Sequence, residues 1–295
     1  MAKNKATTAT LLLLLGVMFW GGTFVMVKEA VSLIDPYSLV SIRFFIATVV
    51  ICVFYFKKLN NINRATVFVA VISGAILTAS FLLQTVSMKY TSASNSAFIT
   101  GLCVVFVPLY VAALDRKPPT AMQAASVLMA LAGLALMTLK FPIKLNFGDF
   151  LALLCAVGFG LQLMICGRLP ERIDAPSFTV IQLLTVAILT AAGGLIVNKH
   201  IAIPDNRFVW GTIIYCATAA TAYIYIVQAL LQRYISEIKA VVIYSLEPLF
   251  AAIVAYFYIG ETLSLNAMFG GALIMVAMVV AELKLNSARK QNQPN

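Results

Sequence analysis

Two ionisable side chains lie inside long apolar stretches of this sequence. Arg43 belongs to the second such stretch, and Glu247 lies near the middle of the ninth. An ionised group is expensive inside a lipid bilayer, so such residues usually line a watery cavity, bind a ligand or form an ion pair. We expect Glu247 to line a cavity, where it titrates during function or binds a cationic ligand. The alternatives are a charge pair between the two, helix packing for Arg43, or a carboxylate that caps the backbone opened by Pro248.

Polar residues recur at helical spacing in two other stretches. Residues three and four apart share one face of a helix, and a polar face cannot be exposed to lipid cheaply. We therefore expect Gln84 and Gln228 to face a cavity, with interhelical hydrogen bonding as the alternative. The two polar faces comprise Ser73, Ser80, Gln84 and Ser87, and Thr218, Thr221, Tyr225, Gln228 and Gln232.

Aromatic and small polar residues complete the candidate site. Aromatic rings can form walls for a flat or cationic ligand, although membrane helices are rich in aromatic residues in any case. The predicted cavity residues are Trp20, Thr23, Gln84, Asn95, Ser96, Thr100, Phe159, Gln162, Tyr223, Tyr225, Gln228 and Tyr244, with Arg43 and Glu247 as a coupling or charge pair.

The residue types argue against a metal site or an enzyme. The single histidine, His200, falls in a predicted loop, and the five cysteines lie inside apolar stretches without a CxxC pair. Such cysteines are typical of small apolar filler, and an active site within the membrane needs clustered catalytic side chains. We predict no metal, no cofactor and no catalysis. The chain also lacks the GxxxxGK[ST] loop that binds nucleotide phosphates.

Composition identifies the medium in which these residues must be positioned. The chain of 295 residues is 62% hydrophobic and 11% charged, whereas soluble domains are about 45–50% apolar and about 25% charged. A spanning helix needs about 20 mostly apolar residues. Ten runs have this length: 9–27, 36–56, 65–88, 93–114, 120–139, 147–167, 176–197, 208–231, 238–258 and 265–283. The sequence predicts an all-α integral membrane protein with ten transmembrane helices.

The basic residues predict the orientation of the chain. If the N-terminus is cytoplasmic, fourteen Lys and Arg residues fall in cytoplasmic segments and six in the opposite loops. This bias favours cytoplasmic termini in a multi-pass protein of the cytoplasmic (inner) membrane. The net charge of +10 is therefore a topology signal, and we predict lipid contact without nucleic-acid binding.

The two halves of the chain resemble each other. With a shift of 144 residues, Gln84 aligns with Gln228 and Tyr90 with Tyr234, and with a shift of 140, Lys28 aligns with Arg168. Five helices in each half would make the second half enter the membrane in the opposite sense. We therefore predict two inverted five-helix repeats, 1–142 and 143–295, around a central cavity. Such repeats are typical of transporters.

Several motifs resemble those of one transporter family. They are Phe19-Trp20-Gly21-Gly22-Thr23-Phe24, Ile42-Arg43-Phe44-Phe45, Ser245-Leu246-Glu247-Pro248, Gly260-Glu261-Thr262 and Gly270-Gly271-Ala272. With them the chain resembles, over nearly its whole length, the ten-helix EamA-like permeases of the drug/metabolite transporter superfamily. The first repeat departs from the pattern, because Cys103-Val104 stand opposite Glu247-Pro248 and Arg116-Lys117-Pro118 opposite Gly260-Glu261-Thr262.

The resemblance implies a secondary carrier for small organic metabolites such as amino acids, purines or drugs. We expect an exporter or exchanger that works by alternating access. The alternatives are an uptake or exchange carrier for a nucleotide-like or other specific metabolite, and a membrane channel or an integral membrane enzyme. One chain contains both repeats, so a monomer is sufficient, and a dimer is also compatible.

Overall fold

The structure, a computed structural model, describes residues 2–59, 62–91, 93–138, 146–247, 249–250, 253–254, 265–266, 268–277 and 280. Regular structure within these ranges is entirely helical, which confirms the all-α prediction for them. The helices are α1 (Ala2–Gly21), α2 (Thr23–Ala30), α3 (Pro36–Tyr55), α4 (Arg64–Tyr90), α5 (Ala93–Gly101), α6 (Cys103–Asp115), α7 (Ala121–Thr138), α8 (Phe147–Gly167), α9 (Ala175–Val197), α10 (Arg207–Ala217), α11 (Ile224–Leu231), α12 (Glu237–Tyr244) and α13 (Met268–Ala277).

Six helical segments of the described chain are long and apolar enough to cross a membrane: Lys5–Ala30, Pro36–Tyr55, Arg64–Tyr90, Phe147–Gly167, Ala175–Val197 and Arg207–Tyr234. Three shorter apolar helices accompany them: Ile99–Asp115, Ala121–Leu136 and Met268–Ala277. Large apolar side chains cover the outside, with Phe54 79% and Ile196 72% exposed, as expected of a surface in lipid. The ninth and tenth predicted runs lie partly outside the described residues, so the count of ten stays a prediction.

Two of the spans begin with the same local structure. The Asp35 carboxylate accepts the backbone N–H of Ser38, and the Asp174 carboxylate accepts that of Ser177, each at a helix start that contains a proline. A side-chain acceptor satisfies one of the four unpaired N–H groups at a helix N-terminus. Proline at the first turn costs nothing there because it has no N–H to satisfy. The two caps fix where α3 and α9 begin.

The first predicted span is interrupted at Gly22, between α1 and α2. The Thr23 hydroxyl donates to the carbonyl of Trp20 at 2.8 Å, and the Tyr215 hydroxyl donates to that of Phe19 at 2.8 Å. Backbone groups inside a membrane need protein partners wherever a helix is broken. These two hydroxyls supply them next to the break, which the hydropathy pattern did not predict.

Two further interruptions lie 144 residues apart, the shift that aligns the two halves. Between α5 and α6 the N–H of Leu102 donates to the carbonyl oxygen of Ile99, and after α12 the N–H of Leu246 donates to the carbonyl oxygen of Ile243. Each of these hydrogen bonds joins residue i to residue i−3. Such tight turns replace the usual bond from i to i−4. The sequence predicted uninterrupted helices at both places.

The centre of the bundle is built on close helix contacts. Helix α4 packs against α8 and α9, while α9 also packs against α3 and α11. A Cβ atom at Gly74 of α4 would lie 2.7 Å from the carbonyl oxygen of Gln182. Nearby, the Gln182 side chain donates to the Ser73 hydroxyl at 2.7 Å. Small residues let backbones approach and polar side chains join the helices, as is common in membrane proteins.

Candidate substrate cavity

One cavity inside the bundle collects most of the chemically distinctive residues. Its volume is about 50 Å³. The cavity is therefore narrow in this conformation. Its lining residues are Trp20, Thr23, Arg43, Phe81, Gln84, Thr100, Gly101, Cys103, Phe159, Gln162, Leu163, Tyr225, Tyr244 and Glu247.

Arg43 is anchored by neutral groups. Its Nε atom donates to the Thr221 hydroxyl at 2.8 Å, and Nη2 donates to the Ala220 carbonyl at 3.3 Å. The guanidinium carbon lies 4.9 Å from the centre of the Phe81 ring, within cation–π range. The side chain is 5% exposed, and it forms no ion pair within the described residues. Its positive charge is therefore held in place by neutral groups, without a direct ion pair there.

The anchor for Arg43 is an irregular piece of helix. Residues Thr218–Tyr223, between α10 and α11, form a π-helix, a rare arrangement that is frequent at functional sites. The Ala220 carbonyl accepts a bond from Trp20 Nε1 at 2.6 Å as well as the bond from Arg43. Ala217 and Ala220 are fully buried, and their small side chains leave the backbone within reach. One turn of the chain thus positions two cavity residues.

Aromatic rings form a continuous part of the wall. The Trp20 ring is 5.4 Å from that of Tyr244, and Phe81 is 5.1 Å from Phe159 between ring centres. Tyr225 connects the two pairs, at 6.3 Å from Trp20 and 6.4 Å from Phe81. Rings at 4.5–7 Å in tilted or edge-to-face geometry attract one another beyond their burial. The wall can therefore hold the apolar part of a ligand.

Glu247 supplies a carboxyl group to the cavity lining. It follows the turn at Ser245 and Leu246, and its alignment partner Cys103 follows the turn at Leu102 and also lines the cavity. The carboxyl group forms no hydrogen bond or ion pair with any residue that the structure describes. The two interrupted helices thus present one side chain each, Cys103 and Glu247, to the same space.

Three glutamine side chains lie in or next to the cavity wall. Gln84 lines the cavity, with Nε2 at 3.5 Å from the Thr100 hydroxyl. Gln162 also lines it and donates to Gln228 at 3.1 Å, so Gln228 lies behind Gln162. The related glutamines Gln84 and Gln228 therefore have different positions.

The structure brings together ten of the fourteen predicted residues around this cavity: Trp20, Thr23, Arg43, Gln84, Thr100, Phe159, Gln162, Tyr225, Tyr244 and Glu247. Ser96 is instead buried with its Oγ 3.0 Å from that of Ser87. The Tyr223 hydroxyl donates to the Leu12 carbonyl at 3.2 Å. Asn95 belongs to α5, but its side chain lies outside the described part of the structure. That any of these residues binds substrate stays a prediction.

Four lining residues were not predicted: Phe81, Gly101, Cys103 and Leu163. Two of them had a usable signal. Cys103 is the alignment partner of Glu247, and Phe81 is three residues before Gln84 on the same helical face. Leu163 and Gly101 carry no polar or aromatic signature that separates them from ordinary membrane-helix residues.

A charged cluster outside the cavity lining joins three helix ends. Arg168, at the end of α8, bonds Asp115 of α6 at 2.6 and 2.8 Å and Glu237 of α12 at 2.9 Å. The hydrogen bond from Arg168 lowers the pKa of Asp115, and the same bond raises the pKa of Arg168. Lys28, which aligns with Arg168, instead donates from Nζ to the carbonyls of Met88 and Thr91.

Comparison with known families decides the identity of the chain. The model of the EamA-like transporter family matches it twice, over residues 7–139 and 146–282. The chain belongs to the EamA-like transporter family. The resemblance predicted from the sequence motifs is thereby confirmed, and this member of the family is a multi-pass membrane transporter.

Individual proteins agree with this assignment. An uncharacterized transporter of Archaeoglobus fulgidus is 30% identical over 289 residues, which cover 95% of this chain and 88% of that one. A second uncharacterized transporter of that organism is 22% identical and covers 93% of this chain and 97% of its own length. A protein crystal structure has a similar fold, with a TM-score of 0.77 at 17% identity over 97% of this chain and 99% of that one. At this identity, the structural likeness shows the fold alone.

Proposed function

We propose that this EamA-like transporter carries small organic metabolites across the cytoplasmic membrane by alternating access through the cavity. Both termini lie in the cytoplasm, in agreement with the excess of basic residues in those segments. The transport mode is export or exchange, and the substrate belongs to the amino acids, purines or drug-like amphiphiles.

The observation that carries this proposal is the shared origin of the cavity. Arg43 and Gln84 come from the first family-matched segment, while Gln162 and Glu247 come from the second. In transporters built from inverted repeats, the substrate site lies between the repeats, which exchange roles as the site opens to either side. A cavity formed by one half alone would not support this mechanism.

The pattern of contacts supports two related halves of five helices each. The matched turns at Leu102 and Leu246 repeat with a shift of 144 residues. The matched caps at Asp35 and Asp174 open the second helix of each half. Repeat positions that share backbone hydrogen bonds favour duplication over a chance similarity of two apolar runs.

Counterflow in proteoliposomes tests the proposal. Ligands are first selected by thermal unfolding, because a ligand at 100 times its dissociation constant stabilises the folded state by about 2.7 kcal/mol. Vesicles loaded with the selected unlabelled ligand should then accumulate external labelled ligand transiently and saturably. Linear flux without counterflow would indicate a channel and would refute the carrier mechanism.

A matched pair of variants connects the flux to the cavity. Phe81→Ala removes a ring from the cavity wall, and Phe54→Ala removes a ring that is 79% exposed on the outside. We expect Phe81→Ala to lower counterflow at least tenfold and Phe54→Ala to leave it within twofold of the wild type. Equal effects of the two variants on counterflow would show that transport does not depend on this cavity.

A further inference from the structure

Two groups of packed helices face each other across the cavity. In the first group, α8 packs against α4, α5 and α6. In the second group, α1 packs against α11 and α12 and continues into α2 within one span. Both groups contribute to the cavity lining, for example Phe159 from α8 and Trp20 from α1. An end of the cavity can therefore open only where contacts between the two groups break.

One such contact is the ion pair between Arg168 and Glu237. Arg168 follows α8 in the first group, and Glu237 begins α12 in the second, with 2.9 Å between Nε and Oε1. The two helix ends lie close together, since a Cβ atom at Gly167 would be 3.0 Å from the Cγ atom of Glu237. Asp115, at the end of α6 in the first group, accepts hydrogen bonds from both terminal nitrogens of Arg168. Arg168 is thus fixed to the first group, and its Nε atom reaches the second.

Lys28 joins the two groups at another place. It belongs to α2 in the second group, and its Nζ atom donates to the carbonyls of Met88 and Thr91, where α4 of the first group ends. The carbonyls at the C-terminus of a helix have no partner within the helix and attract a cation. Lys28 therefore binds the end of α4 without an acidic partner among the described residues.

The two contacts lie at opposite ends of α8. The start of α8 packs against the end of α4, since a Cβ atom at Gly148 would be 2.7 Å from the carbonyl oxygen of Ser87. Arg168 follows the other end of the same helix. At 1.5 Å per residue, the two ends of α8 are about 30 Å apart. One contact between the groups is therefore at each end of the bundle.

The internal repeat relates the two contacts. Lys28 aligns with Arg168 with a shift of 140 residues, and Ala93, two residues after Thr91, aligns with Glu237 with a shift of 144. Each basic residue thus lies at the end of the first span of its half and binds next to the start of an interrupted helix, α5 or α12. Inverted repeats place such equivalent contacts on opposite sides of the membrane.

From these observations we propose that the two contacts are alternate locks. Opening toward the cytoplasm breaks the pair between Arg168 and Glu237, and opening toward the outside breaks the bonds from Lys28 to the end of α4. This inference rests on the proposed alternating access and orientation, and it identifies the contacts that decide which end opens. Both locks are closed in this structure, in agreement with the small cavity of about 50 Å³. Asp115 is a positioning residue, because it orients Arg168 within the first group.

The experiment measures from which side of the membrane Cys103, which lines the cavity, can be reached. A variant with Cys103 as its single cysteine is placed in oriented proteoliposomes, and a membrane-impermeant maleimide is applied from one side at a time. Glu237→Gln should raise the labelling rate from the cytoplasmic side about threefold to tenfold and lower it from the outside. Lys28→Gln should do the reverse. A general loosening of the fold would instead raise both rates in both variants.

Matched controls remove a charge of the same sign at each end. Glu171→Gln changes an exposed residue in the segment after α8, and Lys89→Gln changes an exposed residue in the last turn of α4. Both should leave both labelling rates within about twofold of the wild type. Arg168→Gln removes the cytoplasmic lock from its other side and should act as Glu237→Gln does, also if the latter does not fold. The double variant should match Arg168→Gln alone, since Glu237 has then already lost its donor.

Two results would overturn the proposal: labelling rates that are the same in the lock variants and the wild type, or a shift of Glu237→Gln and Lys28→Gln in the same direction. The transport proposal fails separately. Labelling that shifts as expected in a protein without counterflow refutes transport and leaves the locks standing. Counterflow in a protein whose labelling does not shift refutes the locks and leaves transport standing.

Discussion

The hydrogen bond between Arg43 and Thr221 makes a sharp prediction about stability. The Nε–Oγ1 distance is 2.8 Å, and the two residues are 5% and 0% exposed. Thr221→Val replaces the hydroxyl by a methyl group of similar size, so the Nε–H group of a charged side chain loses its acceptor. Buried hydrogen bonds to charged groups are worth about 1.5–3 kcal/mol. We expect Thr221→Val to lower the free energy of unfolding by that amount.

The assay is thermal unfolding of the purified protein in detergent micelles. At about 2–4 °C per kcal/mol, Thr221→Val should lower Tm by about 3–12 °C. Thr221→Ser keeps the acceptor and removes one methyl group, worth about 0.8 kcal/mol, so its Tm should fall by no more than about 3 °C.

Thr212 provides the matched control in the same span. It is also fully buried, but its hydroxyl has no hydrogen-bond partner within the described residues. Removing an unsatisfied buried hydroxyl costs nothing and can stabilise the fold. We expect Thr212→Val to leave Tm unchanged or to raise it. A Thr221→Val variant that is no less stable than Thr212→Val would refute the anchoring role of Thr221.

Two further predictions concern helix packing and pH. Gly74→Ala should lower the free energy of unfolding by about 1–3 kcal/mol, because its Cβ would lie 2.7 Å from both the Gln182 carbonyl oxygen and the Thr185 Cβ. A Cβ at Gly211 would have nothing within 4 Å, so Gly211→Ala should raise the free energy of unfolding by about 0.5–1 kcal/mol. Equal unfolding free energies of the two variants in chemical denaturation would contradict the close contact of α4 and α9. The pKa of Asp115 lies below 3.8 in the folded protein, so its ion pair stabilises fully above about pH 3.8 and is lost as the pH falls through the lowered value. The Tm difference between wild type and Asp115→Asn should therefore be present at neutral pH and shrink below pH 3.8, and a difference that stays constant down to the acid limit of folding would argue against the pair with Arg168.

The positions of the long helices followed from the sequence because the solvent is lipid. A spanning helix must be apolar over about 20 residues, and every long apolar segment of the structure falls on a predicted run. The residues that lipid excludes were predicted for the same reason. Arg43, Glu247 and Gln84 stand out in apolar runs, and the structure places them around one cavity.

The backbone irregularities could not be predicted in this way. Hydropathy depends on residue type and not on which carbonyl accepts a given backbone N–H. It therefore does not predict the turns at Leu102 and Leu246 or the π segment Thr218–Tyr223. One residue added to a helix rotates everything after it by about 100°. Thr218, Thr221 and Gln228 therefore do not share the one polar face that regular helical spacing predicts. Gln228 lies behind Gln162 instead.

Aromatic residues show a second limit of sequence reasoning. Phe81 lines the cavity at 4% exposure, while Phe54 faces outward at 79%. Both are phenylalanines in apolar helices, and composition does not distinguish them. Only the packing of α4 against α8, with Phe81 5.1 Å from Phe159 between ring centres, does so.

The central claim is that the cavity opens alternately to the two sides of the membrane, and Cys103 provides the most direct test. It lines the cavity, and the other four cysteines, Cys52, Cys155, Cys166 and Cys216, can be replaced by serine or alanine. A membrane-impermeant thiol reagent is applied to oriented proteoliposomes from one side at a time, with and without bound substrate. Alternating access predicts that Cys103 reacts from both sides and that substrate slows both reactions. Reaction from one side only, under every substrate gradient, would contradict the mechanism.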